Sequence, residues 1–69
     1  MSRRAYEGLQ SGATYESVVE LFARHGDLRR VGDQNNEREL VWNQRTGVGQ
    51  MIIVFRNGRL LSKIADGLQ

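Results

Sequence analysis

Met51-Ile52-Ile53-Val54-Phe55-Arg56-Asn57-Gly58-Arg59-Leu60-Leu61-Ser62-Lys63 is the stretch that decides the fold. An apolar, β-branched run leads into Asn-Gly, and a half-apolar run follows. Asn-Gly is typical of a type I′ turn, because that turn needs positive φ at both central residues. Asn tolerates this conformation and Gly adopts it at almost no cost. The stretch therefore predicts a β-hairpin with a tight turn at Asn57 and Gly58.

Upstream of the hairpin, the pattern predicts two further strands and two helices. Strands are predicted at residues 27–31, 37–44, 50–56 and 59 to about 65, with a polar loop at 32–36 and a turn at 46–49. A short helix is predicted at residues 2–10. Thr14 should cap a second helix, in which Leu21 widens the apolar face, Arg24 and His25 occupy the last turn, and Gly26 is the C′ residue. The order of elements is α-α-β-β-β-β.

Helices followed by strands predict an α+β fold in one domain, residues 1–69. Two N-terminal helices should pack on one face of a four-stranded antiparallel meander sheet. The apolar residues at helical and strand spacing should form one core between these layers. The predicted core is Leu9, Tyr15, Val18, Val19, Phe22, Trp42, Met51, Ile53, Phe55 and Leu60.

The hairpin also has apolar residues on its second face. Met51, Ile53 and Phe55 should point one way, and Ile52 and Val54 the other. Contiguous apolar side chains on an open sheet face mark an interaction surface, unless the sheet curls strongly enough to cover them itself. Apolar anchors ringed by arginine suit protein interfaces. The predicted partner-binding residues are Ile52, Val54, Arg56, Arg59, Val41 and Leu61.

Several motifs resemble those of one known family. Tyr6 is followed by Gly12-Ala13-Thr14-Tyr15-Glu16-Ser17-Val18, and a strand carries Leu40-Val41-Trp42. The chain ends in Phe55-Arg56-Asn57-Gly58-Arg59-Leu60-Leu61-Ser62-Lys63, followed by Ile64-Ala65-Asp66-Gly67-Leu68. This pattern is similar to that of small α-α-β-β-β-β modules related to β-lactamase-inhibitor protein and to SmpA/OmlA-type outer-membrane lipoproteins. Ala13 and Ser17 depart from it, where relatives carry Met and Glu.

The resemblance implies a non-catalytic module that binds other proteins through its sheet face or loops. The small size would also fit an inhibitor or assembly partner encoded by a phage or mobile element, or an antitoxin-like partner. The open sheet face would fit a homodimer as well. Most relatives are secreted or lipid-anchored. This sequence has no Cys, and no apolar leader follows Met1, so we expect a cytoplasmic protein unless a leader was removed.

The residues for catalysis or for binding a cofactor or metal are largely missing. The chain has no Cys and one His, His25, which rules out the common zinc sets. A nucleophile needs an adjacent base and an orienting group, and we expect His25 to be a solvated residue at the end of the second helix instead. Glu37 and Glu39 alternate with Arg38, which is typical of a charged edge strand. We therefore expect no enzyme activity, no cofactor and no metal.

Nucleic-acid binding is the alternative function. Nine of the ten cationic residues are Arg, and Trp42 could offer a stacking plane if it were exposed. Five of these arginines should lie at strand ends or turns: Arg29, Arg30, Arg45, Arg56 and Arg59. Acidic residues are interleaved with the arginines, which weakens any field of a single sign. The sequence favours a protein partner over a nucleic acid and leaves both open.

Overall fold

The computed structural model describes residues 3–32, 36–43 and 49–67. Two helices, α1 (Arg3–Glu7) and α2 (Tyr15–Phe22), precede four strands. The strands are β1 (Asp27–Val31), β2 (Glu37–Asn43), β3 (Gln50–Arg56) and β4 (Arg59–Asp66). They form one antiparallel sheet in the order β1-β2-β3-β4. An α+β fold with a four-stranded antiparallel meander is therefore confirmed. The prediction of an edge strand at Glu37 and Glu39 is wrong, because β2 pairs on both sides and the two carboxylates contact arginines of the neighbouring strands.

Some predicted features fall on parts of the chain that the structure does not describe. They are the polar loop at residues 33–35, the end of the second strand at Gln44, the turn at residues 46–48, and Arg45. In the described ranges, no helix has the length and apolar character to cross a bilayer.

The helices are short. The first has five residues, against nine predicted, and the second has eight. Thr14 caps α2 as predicted, because its hydroxyl oxygen accepts a hydrogen bond of 3.2 Å from the Ser17 backbone N–H.

The predicted end of the second helix is wrong. The helix ends at Phe22, and Ala23 adopts the left-handed conformation, with φ of 59°, that was assigned to Gly26. Arg24 and His25 consequently lie beyond the helix. Leu21 is mostly exposed, so it does not widen the packed face.

Gly26 is required for a different reason. A Cβ at this position would lie 2.8 Å from three atoms of the Trp42 ring, so only glycine lets the chain pass this close. The indole Nε1 of Trp42 donates to the Arg24 carbonyl oxygen at 3.1 Å. Trp42 is 1% exposed. It is thus a core residue and offers no stacking plane to a nucleic acid.

The hairpin is confirmed. Asn57 has φ of 53° and Gly58 has φ of 79°, and Arg56 pairs with Arg59 across the two-residue turn. The segment before α2 forms backbone hydrogen bonds with the outer edge of β4 beside this turn. The Gly12 N–H donates to the Leu60 carbonyl oxygen at 2.9 Å, and the Leu60 N–H donates to the Ala13 carbonyl oxygen at 2.7 Å.

The core contains most of the residues predicted for it. Tyr15 and Val19 are partly buried against it, and Leu40 joins it although it was not predicted. Tyr15 meets Phe55 edge to face, with ring centroids 5.3 Å apart. The other buried members are Leu9, Val18, Phe22, Trp42, Met51, Ile53, Phe55 and Leu60.

Lys63 attaches α1 to the sheet. Its ammonium group donates to the carbonyl oxygens of Tyr6 at 2.6 Å and Leu9 at 3.0 Å, and it lies 4.4 Å from the centroid of the Tyr6 ring. These carbonyls lie at and just beyond the C-terminal end of the helix, where a cation is favoured. A five-residue helix is not stable alone, so this contact helps to hold it.

Candidate functional site

A β-bulge in β4 determines which side chains reach the sheet face opposite the core. Phe55 pairs with Leu60, but Val54 pairs with Ser62, so Leu61 has no direct partner in the ladder. After one extra residue, the facing of the rest of the strand is reversed relative to strict alternation. Ile64 is therefore opposite Ile52.

The face opposite the core carries four neighbouring aliphatic residues. The register places Val41 beside Ile52, and Ile52 beside Ile64, in one row across three strands. Val54 follows Ile52 on the same face of β3. We call these four residues, Val41, Ile52, Val54 and Ile64, the open-face patch.

Exposure differs strongly within the open-face patch. Val41 is buried although it does not belong to the core cluster, and Ile52 and Val54 are half-buried. Ile64 is 59% exposed. Sequence reasoning missed Ile64, the most exposed member. The Leu60-Leu61 doublet, which interrupts the alternation of β4, was the one signal that could have revealed it.

An ion-pair cluster lies beside the patch on β1 and β2. Glu39 Oε2 is 3.5 Å from Arg29 Nε, and Glu39 Oε1 is 3.4 Å from Arg30 Nη2. A second bulge makes this possible, since Leu28 pairs with Leu40 and Arg30 with Glu39, which leaves Arg29 as the extra residue. A groove of about 440 Å³ joins the two features and is lined by Arg29, Arg30, Glu39, Ile52 and Ile64.

The other predicted site residues lie outside this groove. Arg56 forms an ion pair of 3.6 Å with Glu37, its partner on β2. The Arg59 guanidinium donates to the Gly12 carbonyl oxygen at 3.0 Å, so the structure ties it to the segment between the helices. Leu61 is 42% exposed at the bulge.

A second groove lies on the core side of the sheet, beside the start of α2. Its volume is about 460 Å³, and Tyr15, Leu28, Leu40 and Phe55 form part of its lining. The Tyr15 hydroxyl lies 2.9 Å from His25 Nδ1, and the two rings stack with centroids 5.8 Å apart. His25 is thus an exposed side chain held by Tyr15.

The described residues contain no group of three or more His, Cys, Asp or Glu side chains that could hold a metal ion. Comparisons with protein-family models, curated proteins and solved structures found no match. The resemblance to the β-lactamase-inhibitor-protein-like modules therefore stays a prediction that rests on the motifs of the sequence.

Proposed function

We propose that this chain is a non-catalytic protein-binding module, an inhibitor or an assembly partner, that docks through the open-face patch. The observation that carries the proposal is the aliphatic row of Val41, Ile52 and Ile64, bordered by arginines. An apolar centre with an arginine-containing rim is the usual anatomy of a protein interface. In a monomer, Ile64 would leave most of its surface in water.

We also propose that the two helices form one layer on the core side of the sheet. Leu9, Val18 and Phe22 share one cluster with the core residues of the sheet, and Tyr6 packs against that cluster. This supports two short helices acting as one N-terminal layer on the core side. The opposite face would then be left for a partner. A cytoplasmic location remains part of the proposal.

A protein partner is preferred to a nucleic acid on two observations. Trp42 is buried, so the chain loses the aromatic plane on which that alternative depended. Glu39 lies between Arg29 and Arg30, where it offsets part of their charge. A second copy of the chain is one form that the protein partner could take.

The test uses one pair of matched variants. Ile64 and Leu28 are aliphatic residues on the two outer strands, 59% and 58% exposed, on opposite faces of the sheet. Neither should be needed for folding, so both Ile64→Glu and Leu28→Glu should keep the circular dichroism spectrum of the parent. Affinity capture from host-cell extract, with and without nuclease, should be run with the parent and both variants. Sedimentation of the purified chains should accompany it.

We expect a stoichiometric protein complex, or a dimer, that survives nuclease, is lost in Ile64→Glu and is retained in Leu28→Glu. Ile52→Glu should behave like Ile64→Glu while keeping the native spectrum. Unfolding of Ile52→Glu would assign that residue to the core and remove it from the interface. Equal binding by the parent and Ile64→Glu would refute docking through the patch. A complex that disappears on nuclease treatment would favour a nucleic acid.

A further inference from the structure

We infer that the partner presents a carboxylate next to an aliphatic side chain, and that the groove beside the open-face patch receives both. The carboxylate would bind the Arg29 and Arg30 guanidinium groups, and the aliphatic side chain would pack on Ile52 and Ile64. This inference rests on the proposed function, because it specifies the partner chemistry of the same surface.

The arginine side of the groove has unused capacity for an anion. Glu39 is the carboxylate that both guanidinium groups contact, and each contact involves one nitrogen. A guanidinium has five N–H donors, so donors remain on both side chains. The distances of 3.4 and 3.5 Å exceed the ~2.7–2.9 Å of a strong charge-assisted bond, so these pairs are loose.

Exposure shows where a second carboxylate could enter. The side chains of Arg29 and Arg30 are 56% and 72% exposed, whereas that of Glu39 is 18% exposed. Glu39 therefore holds the two cations from below while their outer donors face solvent. Two positive charges above one negative charge leave a local excess that a single carboxylate would neutralise.

The aliphatic side of the groove is formed by the cross-strand pair of Ile52 and Ile64. These residues line the same groove as the two arginines, so one short segment of a partner can reach both. Burial of an aliphatic side chain here would remove apolar surface of Ile64 from water, which supplies the non-directional part of binding. The arginines would then fix the orientation of that segment.

The charge of the wider face argues for a single carboxylate and against a polyanion. Bound phosphates need a basic surface of one sign. Among the described residues, the open face carries four arginines and four carboxylates: Arg29, Arg30, Arg56 and Arg59 with Asp27, Glu37, Glu39 and Asp66. Such a mixed surface would repel much of an extended phosphate backbone.

The experiment selects peptides from a random displayed library on the intact chain, then measures their affinities by fluorescence anisotropy. We expect enrichment of peptides with Asp or Glu next to Leu, Ile or Val. Ile64→Ser should weaken the selected peptides roughly tenfold, as for a central interface residue. Leu28→Ser, its matched control on the other face, should bind them within about twofold of the parent.

Two variants distinguish recognition of the partner's carboxylate from nonspecific apolar binding. Replacing Arg29 and Arg30 together by Gln should weaken binding about fivefold and flatten its salt dependence. Glu39→Gln should instead strengthen binding of the acidic peptides, because it removes the carboxylate that competes for both arginines. If Glu39 had a purely structural role, Glu39→Gln would weaken peptide binding instead. Circular dichroism confirms folding of each variant.

The outcomes distinguish this inference from the proposed function. Ile64→Ser could abolish binding while acidic peptides are not enriched and the arginine and Glu39 variants have no effect. That result would refute recognition of a carboxylate and would still support docking through the open-face patch. Failure to enrich any peptide, or peptide binding that is indifferent to Ile64→Ser, would overturn this inference, whereas the proposed function is overturned by equal capture of a partner by the parent and Ile64→Glu. Equally tight binding of a short oligothymidylate that collapses as salt rises would also overturn the inference, in favour of a polyanion.

Discussion

Substitution of Gly26 by alanine tests the close approach of this residue to the Trp42 ring. The added Cβ would lie 2.8 Å from three atoms of the Trp42 ring, a separation that real Cβ atoms essentially never show. The ring cannot easily move away. It packs at centroid distances of 6.0 Å from Phe22 and 6.2 Å from Phe55, and its N–H is bonded to the Arg24 carbonyl oxygen.

The size of the effect follows from two opposing contributions. Overpacking of a core by one methyl group costs about 1–3 kcal/mol of unfolding free energy. Replacing glycine restricts the unfolded chain and returns about 0.4–1 kcal/mol. The net loss should be about 1–2 kcal/mol, which in a domain of this size lowers the melting temperature by about 5–15 °C. Total stability at this length is about 3–10 kcal/mol, so the variant should still fold.

Gly8→Ala is the matched control. Its Cβ would meet only the Ala5 and Arg4 carbonyl oxygens at 3.6 Å, an ordinary contact, so its stability should stay within about 0.5 kcal/mol of the parent. Urea denaturation followed by circular dichroism measures both variants and also serves in a background without the single tryptophan. In a Trp42→Phe background the penalty for Gly26→Ala should shrink, with a coupling energy of at least about 0.5 kcal/mol. Equal stabilities of Gly26→Ala and Gly8→Ala would refute the close approach.

Three further substitutions test the hairpin, the core and the attachment of the first helix. Gly58→Val should cost about 1 kcal/mol or more in thermal unfolding, because a β-branched residue resists positive φ, and no loss would mean that the turn is misassigned. Val18→Asp buries a charge at a position that is 0% exposed and should abolish the cooperative unfolding transition, whereas a native melt would contradict the packing. Lys63→Met should cost about 1–3 kcal/mol through its lost bonds to the Tyr6 and Leu9 carbonyls, with faster amide exchange in α1, and unchanged exchange would argue against the attachment.

Features set by neighbouring residues could be predicted from the sequence. The Asn57-Gly58 turn follows from the φ values that the two residues tolerate, and the start of α2 follows from the Thr14 cap. The end of α2 could not be predicted in this way. Glycine is the preferred residue for a left-handed helix end, yet Gly26 is needed beneath the Trp42 ring and Ala23 takes that conformation instead. Tertiary packing overrides local preference here.

The same distinction between local and long-range features applies to the candidate site. Ile52 and Val54 could be assigned to the open face because strict alternation within β3 is a local property. The cluster of Arg29, Arg30 and Glu39 depends on the register of β1 against β2 and on the bulge at Arg29. Register between strands joined by a polar loop is a long-range property, and no short motif reports it.

The bulge at Leu61 links the stability of the fold to the composition of the site. Strict pairing continued from Phe55 and Leu60 would place Lys63 opposite Ile52, with a charge in the middle of the open face, and would place Ile64 on the core side. One extra residue exchanges these two side chains. Lys63 then reaches the carbonyls of α1, and Ile64 completes the aliphatic row. Because the same bulge provides both results, any change that removes it should loosen α1 and disrupt the open-face patch together.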